Sequence, residues 1–215
     1  LTDPKDWSPS LDWVFEVAAH TPSGIKLSPA FPHELIPSGF EAQWVQDGPD
    51  TVECVLWSGA LARPGIARSA LVIKSGVHEI SASEPNSAVP IADLGKYLAD
   101  PGGAVIRAEL LGKLAESLGA TTIANGIAYL SANSATPTPF ADWFKVLEVL
   151  PLDQGKIAKR LGELGIGVLE IKKRGVDIDP AKFRTGLKLK GKGSATLFLT
   201  RLGNGRAAIL AERLA

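Results

Sequence analysis

Residues 168–187 read VLEIKKRGVDIDPAKFRTGL, and this stretch decides how the last third of the chain folds. Its first residues alternate between apolar and charged, with Leu169 and Ile171 on one face, which predicts a strand. Asp179 and Pro180 follow a short loop. This pair is typical of a helix N-terminus, because the carboxylate caps the first turn and proline fits within it. The stretch therefore predicts a strand and a helix joined by a short connection.

Further elements lie on both sides of this stretch. The pattern predicts a strand and a helix before it, and after it a hairpin whose turn is Leu202-Gly203-Asn204-Gly205. These flanking elements are Trp143–Leu150, Asp153–Leu164, Ala195–Arg201 and Ala207–Glu212. The resulting order, β-α-β-α-β-β in about 70 residues, is typical of a small α/β module with short connections. The first of these elements also fits a helical pattern, so two interpretations of it stay open.

The upstream sequence predicts a helix, a short strand, two hairpins and a longer helix. Their ranges are residues 11–19, 25–28, 41–58, 67–83 and 101–118. Asp100-Pro101 opens the longer helix in this interpretation, and Gly119 ends it. The expected fold class is α/β, and α+β overall, because helices and both kinds of strand connection occur together.

The chain has no net charge, but the two signs are unevenly placed. Residues 1–144 hold 8 basic and 16 acidic side chains, whereas residues 145–215 hold 15 basic and 7 acidic ones, which together account for the 23 of each sign. The last third therefore carries a net charge of +8 against −8 for the rest. Such asymmetry favours the basic segment as the part that contacts a polyanion, although attraction between the two segments explains it equally well.

Most motifs for catalysis or metal binding are missing from the sequence. A single cysteine, Cys54, excludes an intrachain disulfide framework and a cysteine-built zinc site, and its apolar strand predicts an inert core thiol. The glycine pairs Gly102-Gly103 and Gly165-Ile166-Gly167 are interpreted as backbone punctuation rather than phosphate loops. Asp177 and Asp179 are interpreted as loop and helix-cap residues rather than an acid/base pair. No apolar run approaches the roughly 20 residues that span a bilayer.

A dense group of cations is the feature that points most directly to function. Lysines and arginines at this density can neutralise several phosphates, although a solvated surface is the simpler explanation. Phe183 is the one aromatic residue among them, so contact with a nucleic-acid backbone is favoured over base stacking. The candidate binding residues are Lys172, Lys173, Arg174, Lys182, Arg184, Lys188, Lys190, Lys192 and Arg201.

Three segments of the last third resemble a known domain. The segments VLEIKKRGVDIDP (168–180), LKLKG (187–191) and ATLFLTR (195–201) look like the THUMP-like C-terminal domain of actinobacterial-type class I S-adenosylmethionine-dependent methyltransferases. Nearer the start, the chain resembles the end of the methyltransferase sheet of the same family more loosely. The segments that carry this second resemblance are Asp3-Pro4, Trp7-Ser8-Pro9, Ile25–Pro29, Glu41–Val45 and Glu53–Gly59.

The resemblance implies three segments and a parent enzyme. Residues 1–62 correspond to the C-terminal part of a Rossmann-like methyltransferase sheet, 63–142 to a hairpin, helical connector and loop, and 143–215 to a basic THUMP-like domain. The family's glycine-rich loop and acidic ribose ligand have no counterpart, so S-adenosylmethionine is expected in the parent enzyme and not on this chain. The first residue is Leu rather than Met, which agrees with an upstream methyltransferase half.

By analogy with THUMP domains, the resemblance implies an RNA substrate, with tRNA as one candidate. The chain opens with no basic, apolar leader, so we expect the cytoplasm and no membrane partner. The alternative is a protein-interaction or structural module with no nucleic-acid role and no activity of its own. The methyl acceptor and the catalytic residues cannot be assigned from this sequence.

Overall fold

The structure is a computed structural model that describes residues 7–214, so the Asp3-Pro4 pair lies outside the described residues. The chain divides into two compact units, one of residues 1–88 with 102–114 and one of residues 89–101 with 115–215. Within residues 7–214, no helix combines the length and apolar character needed to cross a bilayer.

The first unit is built on a five-stranded mixed sheet with the strand order β1-β3-β2-β4-β5. Its strands are β1 (Gly24–Leu27), β2 (Glu41–Asp47), β3 (Asp50–Trp57), β4 (Arg68–Ile73) and β5 (Val77–Ala82). β3 is antiparallel to both β1 and β2, whereas β2 and β4 are parallel. The unit also holds helix α1 (Leu11–His20) and the short helix α2 (Gly103–Arg107). β1 is an edge strand, because it stands at one end of the strand order.

Local sequence explains the elements of this unit. The Ser10 hydroxyl accepts a hydrogen bond from the Trp13 backbone nitrogen and caps α1. Gly48 has a φ of +55° in the turn between β2 and β3, a conformation that glycine adopts without strain. Trp44 and Leu56, which are fully buried, form the centre of the sheet's core.

The second unit is built on a seven-stranded sheet with the order β10-β11-β12-β9-β6-β8-β7. Its strands are β6 (Tyr97–Pro101), β7 (Thr121–Thr122), β8 (Leu130–Ala132), β9 (Ala141–Pro151), β10 (Ile166–Lys173), β11 (Gly193–Leu202) and β12 (Gly205–Arg213). Its helices are α4 (Gln154–Glu163) and α5 (Pro180–Leu187), and α3 (Leu111–Leu118) carries the chain from the first unit into the second. β10 and β11 are parallel because α5 crosses between them, and every other neighbouring pair is antiparallel.

The two faces of this sheet bury different side chains. Leu161 of α4 and Leu187 of α5 pack with Leu197 and Leu210 of the sheet on one face. The opposite face carries an aromatic cluster that includes Phe198, so consecutive residues of β11 enter different cores. This alternation follows from the two-residue period of a strand.

The structure confirms the predicted order β-α-β-α-β-β as β9-α4-β10-α5-β11-β12, and it assigns residues 141–151 to a strand rather than a helix. The predicted helix over residues 101–118 is wrong. Pro101 ends β6, and Glu109, with a φ of +57°, separates α2 from α3. Apolar spacing continues across this break, so periodicity does not reveal it. Proline is compatible both with the end of a strand and with the start of a helix, so Pro101 does not distinguish the two.

Candidate nucleic-acid interface

The candidate cations of the sequence lie mainly along the β10 side of the second sheet. They come from the end of β10, from α5, from the segment between α5 and β11, and from the end of β11. Asp179 caps α5 by accepting hydrogen bonds from the backbone nitrogens of Ala181 and Lys182, which confirms its predicted structural role. The capped helix fixes where its cations project.

Six of these cations are exposed, namely Arg184 and five lysines, and we call the five lysines the basic edge. None of the five forms an ion pair with another residue in the part of the chain that the structure describes. Lys188 ends α5 with a φ of +48°, so the two lysines that flank Leu189 are not on one extended strand. Charges without local counterions are available to an external anion. The basic edge consists of Lys173, Lys182, Lys188, Lys190 and Lys192.

Lys172 and Arg174 are held by acidic neighbours instead. The Asp100 carboxylate on β6 lies 2.8 Å from the Lys172 ammonium and 2.8 Å from the Arg174 guanidinium. Burial disfavours the charged form of Lys172, but Asp100, and then Glu170 at 3.3 Å, outweigh it and raise the pKa of the ammonium. The Arg174 guanidinium also lies 4.9 Å from the ring centroid of Tyr129. Both cations therefore pair with a carboxylate of the second unit itself.

The same face holds a second set of paired charges that the sequence did not indicate. Arg213 of β12 donates to Asp142 at 2.6 Å and to Glu170 at 3.0 Å. Its guanidinium lies 4.6 Å from the ring centroid of Phe144, a cation–π contact. The alternation Glu170, Lys172, Arg174 was the available signal. It puts these three on one face of the strand region, and Lys173 on the other.

The two remaining candidate arginines donate to backbone carbonyls. Arg184 of α5 donates to Leu169 on β10, and Arg201 donates to the Asn125 carbonyl at 2.7 Å. Each therefore has a structural partner within the second unit. The structure separates the nine candidates into five exposed lysines and four cations that contact acidic or carbonyl groups of the second unit.

No other reactive group forms an evident catalytic centre within residues 7–214. Cys54 is fully buried. Burial raises the pKa of its thiol to about 12, although the nearby Arg68 charge acts in the other direction, and the predicted core position of Cys54 is confirmed. No group of three or more His, Cys, Asp and Glu side chains in the described range could hold a metal ion.

The protein-family comparison matches the basic part of the chain. Residues 141–213 match the family model described as THUMP domain-like. The match begins at the first residue of β9 and ends at the last residue of β12. Residues 141–213 are thus similar to a THUMP-like domain. The β-α-β-α-β-β unit and the matched family segment are thus the same piece of chain.

The chain is also similar to longer proteins. It is 37% identical over 153 residues to an uncharacterized S-adenosylmethionine-dependent methyltransferase of Mycobacterium tuberculosis, found in strains CDC 1551 and H37Rv. That match covers 71% of this chain and 42% of each relative, so the chain spans less than half the length of these proteins. The resemblance to an actinobacterial-type methyltransferase carrying a THUMP-like domain is confirmed.

A solved structure shares the fold. The crystal structure of a candidate methyltransferase from Porphyromonas gingivalis W83 has a TM-score of 0.77 and 19% identity, and the likeness covers 98% of this chain and 56% of that one. At this identity the likeness shows the fold alone.

Proposed function

We propose that this chain is the C-terminal portion of a class I S-adenosylmethionine-dependent methyltransferase that acts on RNA, and that its THUMP-like domain docks the RNA. The basic edge is the observation that carries the RNA part, because it presents exposed lysines without acidic partners in the described chain. THUMP domains are generally associated with RNA binding, which supports the same interpretation. A tRNA is the first substrate to test.

The basic edge favours contacts with the RNA backbone. Phe183, the aromatic residue within this region, is partly buried and packs against the core between α5 and the sheet. It therefore offers no platform for an unstacked base. Lysines provide flexible point charges that suit phosphates rather than base edges. We expect binding that depends on the shape and charge of the RNA more than on its sequence.

The first prediction concerns two lysines of the basic edge. The double variant K190Q/K192Q should bind a tRNA about tenfold more weakly near 0.1 M salt, because two phosphate contacts are lost. The slope of log affinity against log salt should fall by about 1.4–1.8. Fluorescence anisotropy of a labelled tRNA at several salt concentrations measures both quantities.

The matched control is K156Q/K159Q, which removes two exposed lysines of α4 and the same amount of charge. This control should keep at least half of the affinity. Equal weakening of both variants would leave only general charge attraction, and no binding at low salt would favour the alternative of a protein-interaction module.

The first unit supports the link to an upstream methyltransferase half. A groove of about 920 Å³ runs beside α1 and the edge strand β1. Trp13, Val17 and Val52 line it and are 56%, 39% and 47% exposed. Exposed apolar side chains beside an unpaired strand edge are typical of a surface that another part of the protein covers. We place the upstream half of the longer enzyme on this groove.

The second prediction tests whether the apolar lining of this groove is a free surface of the chain, as that placement requires. The variant W13S should change the unfolding free energy of this chain by less than about 1 kcal/mol, because the indole is more than half exposed. It should also reduce binding of an apolar dye such as ANS to the isolated chain. A loss of stability above about 2 kcal/mol would show that Trp13 belongs to the unit's own core.

In this proposal, the upstream half of the enzyme binds S-adenosylmethionine, and this chain does not. A Cβ on Gly102 would lie 2.5 Å from the Gln46 side chain, and one on Gly103 would lie 2.2 Å from Thr51, so these glycines serve close packing where α2 begins. A Cβ on Gly167 would lie 2.1 Å from the Gly191 carbonyl oxygen. Neither glycine pair forms an open phosphate loop, and these residues do not fit the methyl donor.

The proposed compartment is the cytoplasm. Cys54 is a free, buried thiol, which is compatible with a reducing compartment.

A further inference from the structure

A second positively charged site lies in the second unit, at the start of β6. A cleft of about 340 Å³ opens there between the beginning of β6, the end of β8 and the middle of β9. Leu94 and Val146 form its apolar side. Lys96, Tyr97, Asn133 and Lys145 are the residues with polar side chains among those that line it. We call this feature the β6 cleft.

Every polar side chain of the β6 cleft can donate a hydrogen bond. The two lysines bring two positive charges, and Tyr97 brings a hydroxyl. The Asn133 side-chain oxygen accepts from the Lys96 backbone nitrogen at 3.3 Å, which leaves the amide nitrogen of Asn133 as a donor. No acidic residue lines the cleft in the described chain. A site of this composition favours an anion with several acceptor oxygens.

The charges of the two lysines are not taken up by neighbouring carboxylates. Neither Lys96 nor Lys145 forms an ion pair with another residue in the range 7–214. Glu212 lies opposite Lys145 across the β9–β12 ladder, but the two side chains do not come within 4.0 Å of each other. On the other side of β9, Tyr97 is the cross-strand neighbour of Lys145. Two cations and two neutral donors are thus grouped around one opening.

We propose that the β6 cleft binds a phosphate group. Phosphate offers several acceptor oxygens that charge-assisted donors can satisfy together, and its size suits a cleft lined by four such side chains. The site is separate from the basic edge. β10 and β6 are four strand spacings apart in the same sheet, about 19 Å. An RNA that uses both regions would be held at two points on one domain.

The phosphate could belong to an RNA backbone or to a free nucleotide, and these sources are distinguished by experiment. The RNA source rests on the proposed function, whereas phosphate binding itself does not. If the cleft binds phosphate but the chain does not bind RNA, only the proposed function fails. If the chain binds RNA but the cleft does not respond to phosphate, only the cleft proposal fails.

The first arm uses inorganic phosphate and the full 215-residue chain. Titration to about 10 mM at constant ionic strength should shift the backbone amide NMR signals of Gly95, Lys96 and Val146, with a dissociation constant of about 1–10 mM. The variant K96Q/K145Q should weaken this binding about tenfold or more, whereas K156Q/K159Q should leave it unchanged. K96R/K145R, which keeps the charges, should retain most of it.

The second arm compares AMP, adenosine and a tRNA. If the phosphate comes from RNA, the tRNA should shift the signals of the β6 cleft, and K96Q/K145Q should lower the salt slope of tRNA binding by about 1.4–1.8. If it comes from a free nucleotide, AMP but not adenosine should shift these signals, and the tRNA should not. No response at the cleft to phosphate, AMP or tRNA overturns the proposal, as does a K96Q/K145Q variant that binds phosphate normally. If K96Q/K145Q keeps the full tRNA affinity and salt slope, the RNA source of the phosphate is excluded and the basic edge remains as the docking site.

Discussion

Replacement of Phe198 by alanine should lower the unfolding free energy of the second unit by about 4 kcal/mol. Phe198 is fully buried on β11, and its ring contacts those of Tyr129 and Phe144 edge to face at 5.1 and 4.9 Å. The variant loses the transfer energy of a large side chain and both aromatic contacts, and it leaves a cavity that a packed sheet cannot close. The Phe144 ring also makes cation–π contacts with the paired cations Lys172 and Arg213. Loss of Phe198 should therefore loosen the charged face as well as the core.

Urea denaturation followed by tryptophan fluorescence and by amide hydrogen exchange measures this effect, and exchange assigns it to the second unit. F198L should lose no more than about 1.5 kcal/mol, because it keeps most of the volume. V168A is the surface control, since Val168 is 61% exposed, and it should change stability by less than about 0.5 kcal/mol. A loss below about 1 kcal/mol in F198A would contradict the packing described here.

Replacement of Arg63 by methionine should lower the stability of the first unit by about 3 kcal/mol at neutral pH. Its guanidinium forms an ion pair with Glu41, which is 1% exposed, and a second one with Glu79 at 2.6 Å. Ser69 donates to the same buried carboxylate at 3.0 Å. Without the Arg63 guanidinium, the buried Glu41 carboxylate keeps only two uncharged donors, the Ser69 hydroxyl and the backbone nitrogen of residue 63. The cost of removing its charge from water is then no longer offset by an opposite charge of Arg63. The double variant E41Q/R63M should recover much of the loss, because it removes the charge itself.

The pH dependence of this effect has a defined sign. Burial raises the pKa of Glu41, but hydrogen bonds from Arg63 and Ser69 outweigh burial and hold that pKa below its ordinary 4.5. The native protein therefore gains stability from Glu41 above pH 4.5 and loses it as the pH falls through the lower folded value. In R63M the effect of burial is opposed by fewer hydrogen bonds, so we expect the pKa of Glu41 to rise above 4.5.

The deficit of R63M relative to the native protein should accordingly begin to shrink above pH 4.5, where the Glu41 carboxyl of R63M takes up a proton. It should shrink further below pH 4.5, where the native protein loses the stability that its ionised Glu41 contributes. Urea denaturation at a series of pH values between neutrality and acid tests this. E41Q/R63M serves as the control with no ionisable group at position 41. A deficit that is independent of pH would show that Arg63 acts through packing alone.

The sequence predicted the THUMP-like module well because its signals are local. The Asp179-Pro180 pair, the alternation along β10 and the turn at Gly203 each lie within the element that they define. The predicted docking cations were harder to assess, because their partners are distant in sequence. Asp100 reaches Lys172 and Arg174 only after β6 joins the sheet beside β9. Since β6 was not predicted, the pairing of these cations was not predictable.

The upstream region shows a related difficulty. Both hairpins of the first sheet follow from alternation and turn residues, whereas the break at Glu109 does not, because its φ of +57° is unusual for a glutamate. Glu109 is held in this conformation by its surroundings. Its carbonyl accepts from Asn86, and its carboxylate contacts His33 at 3.2 Å. Such positions are set by tertiary contacts that a single sequence does not display.

The place of the β11–β12 hairpin within the second sheet has a consequence for how the domain folds. These two strands are joined by a two-residue connection, are buried along most of their length, and lie between β10 and β9. Their pairing closes the shortest loop in the sheet, so it carries the smallest entropic penalty and is suited to be the folding nucleus. β6 and β9 are separated by the 39 residues 102–140, so their pairing closes a much longer loop and is expected to form later. Asp100 lies on β6, so we expect it to pair with Lys172 and Arg174 only near the end of folding. The charge pattern around these cations would then be completed last.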